Sequence, residues 1–497
     1  MAQEYPPSLS AEGRRLLELR LSGRPGRKSS AAREEKKPDR IPISLVQRRL
    51  WFISQMAPDI LAYNVDAAYR IRGPLDHDAL GAAVQDMVRR HEALRTRFEM
   101  VDGEPFQVVA RQAEKVLALH DMSSEPDPIG STVTLAARVA DTPYSLTDDP
   151  LFRAWLARLG ERDHVFGIGA HHLIFDHESL AILVDELGQA YAEREQGRAP
   201  ELGEIPAQYT DFALWQIRRS EANGFAAHRR YWRERLMSAP VFLELPADRS
   251  RPAQPSYRAG EVAVSLPAEA VACLGRLARE RGTTLFTVAL AGFQGLLARY
   301  RGAEEPVVVG CGFNGRSRLE FEGVLGFFAN SLPILVDLSA NPPFTAMVDA
   351  TREAMLEAHE HQDLPFEEIV VELAPPRDLS HNPVFQVWFD LTGSAGGAAA
   401  GPGLLLPGCQ VEPFPTGCAR TRFDLELHLV ETAAGTLSGR LLYATDLFDS
   451  TTAQELVGHY QSLLTAVAHD PGLRLARIPI LEPAELSRIL DTWGAAS

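Results

Sequence analysis

The segment GAHHLIFDHES, residues 169–179, gathers His171, His172, Asp176 and His177 within seven residues. Imidazole titrates near physiological pH, so one of these histidines can serve as a general base toward an amine or hydroxyl nucleophile. Asp176 would then be an orienting or structural carboxylate. Three imidazoles and a carboxylate are also metal-ligand types. The spacing HHxxxDH, however, is not the i, i+4 helical pair of the zincins, and adjacent histidines on a strand face opposite ways. A third reading is a histidine-rich turn whose rings bond to backbone. The residues by themselves leave these three open. His359 and His361 flank Glu360 and read as a solvated helix end. The chain holds no GxxxxGK[ST] and no GxGxxG, which argues against a nucleotide-driven ligase. It holds no GxSxG elbow, which argues against an α/β-hydrolase.

The elements around the cluster are legible. HVFGIGA (164–170) is an apolar strand, and 178–195 is a helix with a stripe at Leu180, Leu183, Val184, Leu187 and Tyr191. The cluster therefore lies at a strand-to-helix junction, where reactive side chains are commonly displayed. Upstream, the pattern predicts a helix over 76–94, two strands about the Asp102-Gly103 turn in 95–109, and a strand over 151–159. A Pro-rich stretch at 243–255 connects two halves. Beyond it come a buried helix at 284–300, a central strand at 306–313, a helix at 344–361 and a strand at 382–391. A hairpin of 423–432 with 437–448 and a final helix at 451–470 follow. Residues 8–21 predict a short amphipathic helix capped by Ser10, 22–40 a flexible linker, and 392–403 a flexible loop. The expected units are a 1–40 leader, an α/β half at 41–220 and a second at 221–497.

Composition narrows the function. The 497 residues are 45% hydrophobic and 23% charged, which excludes wholesale disorder. No apolar stretch approaches the roughly 18–20 residues of a membrane span. The start, MAQEYPPSLSAEGRR, lacks a signal-peptide core, so a cytoplasmic protein is expected. The net charge is −16. Residues 1–40 hold ten Arg or Lys against six Asp or Glu, so the body is more acidic still. An acidic body argues against nucleic acid as the main partner. Cys273, Cys311, Cys409 and Cys418 have no metal-type pairing and read as reduced thiols. Only four lysines accompany 46 arginines, which reads as codon bias and carries no mechanism.

At HHLIFDHES the chain resembles the condensation domains of nonribosomal peptide synthetases, whose core motif is HHxxxDG. The likeness extends over about 41–490, in order. ISLVQRRLWFISQM (43–56) resembles the family's opening block and RRHEALRTRFEMVDGEPFQVV (89–109) its second. PAQYTDFALWQ (206–216) and RYWRERLMSAPVFLELPADRSRP (230–252) resemble the mid-chain blocks. VVGCGFNGRSRLEFEGVLGFFANSLPI (308–334) resembles the fifth and HQDLPFEEIVVELAPPRDLSHNPVFQVWF (361–389) the sixth. FDLELHLVE and LLYATDLFD resemble the last.

The resemblance implies an α/β fold of two chloramphenicol-acetyltransferase-like lobes in a V-shaped pseudo-dimer, with a central tunnel. It implies acyl or peptidyl carrier proteins as partners, each presenting a thioester on a phosphopantetheine arm, with no intrinsic cofactor and no metal. His172, the second motif histidine, is the residue that helps the acceptor attack the donor thioester. His171 supports the loop, and Asp176 holds its geometry through an ion pair, for which Arg316 in NGRSR is the candidate. His177, Arg316 and Ser179 form the expected substrate-binding set. One departure matters: the family's glycine after the aspartate is His177 here, followed by Glu178. Three outcomes stay open: a shifted turn in an active enzyme, a reshaped acceptor pocket, or a domain that has lost condensation and kept a binding role.

The implied function is condensation of a carrier-bound thioester with an amine, giving an amide, or with a hydroxyl, giving an ester. The alternatives are a non-catalytic module recruiting carrier proteins or a tailoring enzyme, and an epimerisation domain. HQDLPFE, present at 361–367, is a form that epimerisation members generally lack. The chain is expected to be a stand-alone, monomeric enzyme whose residues 1–40 serve as docking or linker segment.

Overall fold

The computed structural model describes residues 37–487, apart from Asp39, 113–115, Asp149, Val241, Arg377, 394–402, Cys418, 482–484 and Leu486. The helix expected at 8–21, nearly all of the linker at 22–40 and most of the loop at 392–403 lie outside the described residues. Fourteen strands are described. In the first half they are β1 (Ile41–Pro42), β2 (Asn64–Arg72), β3 (Thr96–Val101), β4 (Glu104–Val109), β5 (Leu117–Asp121), β6 (Phe152–Gly160) and β7 (Asp163–His171). The second half adds β8 (Ala259–Leu266), β9 (Val307–Phe313), β10 (Asn330–Val336), β11 (Val387–Thr392), β12 (Gln410–Pro413), β13 (Leu425–Glu431) and β14 (Leu437–Ala444).

They form two large sheets. One is five-stranded in the order β12-β2-β7-β6-β5, the other six-stranded in the order β10-β9-β11-β13-β14-β8. A small sheet, β1-β4-β3, flanks the first. The turn between β3 and β4 is built from Asp102 and Gly103, both at positive φ, as a tight hairpin requires. β7 lies inside its sheet between β2 and β6, and eight of its nine residues are buried, which is why it reads as an unbroken apolar run.

The helices are α1 (Leu45–Met56), α2 (His77–Arg90), α3 (Pro128–Ala140), α4 (His177–Glu195), α5 (Tyr209–Glu221), α6 (Ala226–Leu236), α7 (Ala268–Glu280), α8 (Leu285–Arg301), α9 (Phe344–Glu360), α10 (Phe366–Leu373) and α11 (Ser450–His469). α2 and α4 cover one face of the first sheet through Leu80, Val84, Met87, Leu183, Val184 and Leu187, all nearly inaccessible. α8 is apolar almost all round because other elements enclose it, and Gly302 ends it in the left-handed conformation.

Along the chain, core membership changes between Trp215 and Phe225, but some segments cross over. Phe321, Val324, Leu325, Phe327 and Phe328 come from the second half but sit in the first core. β12 is also second-half chain, yet it pairs antiparallel with β2 at the edge of the first sheet. Leu45 goes the other way, into the second core. The 382–391 strand begins only at Val387, because the side chains of Asn382 and Gln386 bond to neighbouring segments ahead of it. Cys273, Cys311 and Cys409 are free thiols; Cys418 lies outside the described residues.

Candidate active site

β7 delivers His171 at its last position, paired in register with Asn64 of β2. A single 3-10 turn, His172–Ile174, then swings the chain toward α4. The backbone N–H of His171 donates to Leu151 O (2.9 Å) and that of His172 to Tyr63 O (2.8 Å), so both residues are pinned before their side chains are placed. Gln47 of α1 donates to Leu173 O (2.7 Å) and holds the turn from the other side.

The two histidines adopt opposite tautomers. His171 Nδ1 accepts from the Leu173 N–H (3.1 Å), so its ring proton sits on Nε2. His172 Nδ1 lies 2.7 Å from Phe175 O; a carbonyl only accepts, so Nδ1 carries the proton. His172 Nε2 keeps its lone pair and has no hydrogen-bond partner among the described residues. His171 is 3% exposed, whereas His172 is half-buried, with Phe327 edge-on at 4.8 Å between ring centroids. Burial, reinforced by the Arg422 cation, pushes the His172 pKa down to about 4, so the ring is neutral at physiological pH. Burial also lowers His171, to about 3.

Asp176 caps the N-terminus of α4. Its Oδ1 accepts from Ser179 N (2.8 Å), Ser179 Oγ (2.7 Å) and Arg316 Nη2 (3.0 Å). Its Oδ2 accepts from Arg316 Nη1 (2.9 Å), Phe328 N (3.0 Å) and Ala329 N (3.2 Å). Burial would raise this carboxyl, but the fork of Arg316 and the surrounding donors hold it below the usual carboxylate range. Arg316 is a buried arginine, its side chain 2% exposed, with its guanidinium 4.2 Å from the Phe328 ring centroid. Gly315 makes that placement feasible: its φ is +64°, and a Cβ there would sit 2.0 Å from Phe328 O.

Two of the expected substrate-binding residues, Ser179 and Arg316, lie in the interior. Ser179 is fully buried; its hydroxyl accepts from Gly326 N (3.0 Å) and Arg316 Nη2 (3.1 Å) and donates to Asp176. It has no surface left for a ligand. Both Arg316 Nη groups are likewise engaged, by Asp176, Ser179 and Val324 O, so the residue ties the halves together. His177 is exposed at the first position of α4. Its backbone is helical, so the position requires no glycine-type φ, and the turn absorbs the replacement without strain. The metal reading finds no support in the geometry either. His171 Nδ1 and His172 Nδ1 are both engaged with backbone, Asp176 is saturated by donors, and no metal-competent trio of His, Cys, Asp or Glu occurs among the described residues.

Sequence reasoning missed several participants. Ser44 Oγ meets Tyr209 OH at 2.8 Å, and Tyr209 OH donates to Phe327 O (2.7 Å). Leu45 N donates to Gln216 Oε1 (2.7 Å). The opening, mid-chain and fifth blocks thus meet around one loop. Arg422, ahead of β13, reaches the same seam, 6.0 Å from the Tyr63 ring centroid.

Comparison with known proteins bears on the whole arrangement. The family profile described as Condensation domain matches residues 37–490. Chondramide synthase cmdD of Chondromyces crocatus is 36% identical over 458 residues, covering 92% of this chain and 12% of that protein. Tyrocidine synthase 3 of Brevibacillus parabrevis is 35% identical over 456 residues, covering 91% and 7%. The chain thus spans about a tenth of the length of the curated relatives it matches, and the stand-alone expectation is not borne out: those relatives carry the matching segment within far longer proteins. Among solved structures, the complex of the X-domain and OxyB from teicoplanin biosynthesis aligns with TM-score 0.81 and 32% identity, covering 90% of this chain and 97% of that one. The first condensation domain of the CDA synthetase aligns with TM-score 0.74 at 22% identity, covering 89% and 99%, a likeness of fold. With its two acetyltransferase-like lobes, its HHxxxD turn and this match along nearly its full length, the chain belongs to the condensation domains of nonribosomal peptide synthetases.

Proposed function

We propose that this domain joins a carrier-bound acyl or peptidyl thioester to an amine acceptor, forming an amide, with His172 as the residue that receives the acceptor's proton. The observation that carries the reading is the open Nε2 lone pair of a neutral His172, fixed in tautomer by Phe175 O and placed where the two halves meet. The amine nitrogen adds to the thioester carbonyl carbon, and the carbonyl electrons move onto oxygen. The new ammonium gives a proton to His172 Nε2. Collapse restores the carbonyl, breaks the C–S bond and releases the pantetheine thiolate, which takes up the proton. A free amine is already a good nucleophile, so positioning supplies much of the rate. A hydroxyl acceptor would follow the same course and depend more on His172.

Asp176, Arg316 and Ser179 are positioning residues in this scheme, and His171 supports the turn. Acyl or peptidyl carrier proteins deliver the substrates on phosphopantetheine to a tunnel between the lobes. No intrinsic cofactor takes part. The domain works as a monomer in the cytoplasm; among the described residues no helix is long and apolar enough to cross a membrane.

A second reading has its own support. A solved structure 32% identical to this chain is an X-domain held in a complex with OxyB. Together with His177 in place of the motif glycine, that favours a recruitment role as the competing assignment. One experiment separates them. Purified protein is given one acyl-carrier donor and a panel of amine and alcohol acceptors, with products read by mass spectrometry. Amide formation that His172→Ala abolishes supports condensation. No product with any acceptor, alongside saturable binding of a carrier protein or a tailoring enzyme, supports recruitment.

A further inference from the structure

Arg422 stands beside His172, and its charge acts on two groups: it disfavours the His172 imidazolium and helps hold the buried Glu426 carboxylate low. Its backbone is held from both sides: its N–H donates to Glu426 Oε1 (2.8 Å), and its carbonyl accepts from Asn382 Nδ2 (2.5 Å). The nearest carboxylate, Glu426, is already occupied by Thr421 Oγ1 (2.8 Å), the Arg422 N–H and His428 Nε2 (3.1 Å). The Arg422 guanidinium itself donates no hydrogen bond and forms no ion pair among the described residues. It lies 6.0 Å from the centroid of Tyr63 and 5.9 Å from that of Phe423. Tyr63 is the residue whose carbonyl holds the His172 backbone, so a second-half arginine reaches the catalytic turn of the first half.

A half-buried guanidinium with a fixed base and five free donors is built to meet an anion. The reaction proposed above makes one there, on the carbonyl oxygen of the thioester as the amine adds. Resting on that reading of function, we infer that Arg422 binds the developing oxyanion of the tetrahedral adduct and so acts as a further catalytic residue. The bond changes are those already written; Arg422 exchanges no proton and supplies hydrogen bonds to the oxygen that gains charge. Its cation has a second effect, through His172. The charged and titratable groups facing that ring are Arg422 from the β12–β13 connection, with Asp176 and His171 of its own turn. Removing Arg422 removes a cation that disfavours imidazolium.

The test compares wild type, Arg422→Gln and Arg422→Lys. Two probes report on the site without turnover: a pantetheine-linked phosphonate monoanion, which carries the tetrahedral charge, and the neutral pantetheine amide of the same skeleton. Wild type should bind the anion at least 10-fold more tightly than the amide. R422Q should lose that preference, and R422K should recover part of it. In single-turnover assays R422Q should lower kcat by roughly 10²–10³-fold, the usual cost of one oxyanion donor, with KM little changed. NMR titration of His172 should show its midpoint moving up in R422Q. Equal anion preference in wild type and R422Q, or no preference in wild type, overturns the inference. So does wild-type kcat in a folded R422Q, which would leave condensation standing. An intact, Arg422-dependent anion preference in a protein that makes no amide would instead sink the condensation reading alone.

Discussion

Replacing Asp176 by Asn removes one charge and changes one atom, and the structure sets the size of the effect. Six donors converge on the carboxylate, three on each oxygen. An asparagine amide in either orientation keeps one acceptor oxygen and turns an NH2 group toward three donors. Arg316, 2% exposed, would be left with no counter-charge. Breaking a buried pair by removing one partner costs about 3–5 kcal/mol. The urea midpoint of D176N should fall by that amount of unfolding free energy, with the m-value unchanged. The double variant D176N/R316M, which removes the stranded cation, should recover part of the loss. The pair also writes a pH signature. The folded pKa of Asp176 lies below its unfolded value, so the stability it contributes is present above the ordinary carboxylate range and lost as pH falls through the folded pKa. D176N should lose that component of the acid limb. A D176N variant within about 1 kcal/mol of wild type, or a double variant weaker than the single by the full cost of R316M, would refute the account of this contact as a mutual, buried ion pair.

Three further outcomes are expected. His172→Ala should lower turnover by about 10²–10⁴-fold while near-UV circular dichroism stays native; an NMR titration of the wild-type ring should have its midpoint pushed down to about 4, and a midpoint near the ordinary imidazole value of about 6.5 would contradict the buried, cation-flanked ring. Gly315→Ala should impair folding, since its Cβ would overlap Phe328 O and its φ is +64°, and a soluble variant with wild-type thermal stability would show the loop has freedom the structure lacks. His177→Gly should change stability by no more than about 1 kcal/mol, the ordinary penalty for glycine in a helix, because the ring is exposed; relaxed acceptor selectivity in that variant would place the ring on the acceptor path, and unchanged selectivity would remove it from there.

What the sequence discloses follows from where each element takes its stability. β6 and β7 are buried runs, and α2 and α4 carry regular apolar stripes, so local composition is enough to find them. β2 reads NVDAAYRIR, with Asp66, Arg70 and Arg72 breaking the pattern, and only pairing with β7 and β12 makes it a strand. β12 is four residues ending in Pro413 and has no signal of its own. The same division runs through the site. His172 and Asp176 sit in one short motif and are visible in it. Arg316 is legible through the block around it. Gln47, Tyr209 and Arg422 each act across more than a hundred residues, and nothing local sets Arg422 apart from the other arginines. The motif glycine suggests a special φ; the Asp176 cap starts a helix at that position, so the backbone never needs it.

The placement of β12 has a consequence for how the chain is made. β2 is complete at Arg72, but its outer edge stays unpaired until Gln410–Pro413 emerges. At roughly 5–20 residues per second, the roughly 340 intervening residues take about 17–70 s of synthesis. Through that interval the nascent first sheet presents an open edge, the kind of surface that recruits foreign strands. The first core also waits for Phe321–Phe328 before it is filled. The first half cannot finish folding until most of the second half has been made, so the order of synthesis and the order of folding are decoupled, and the earliest stretch of the domain spends longest in need of a chaperone.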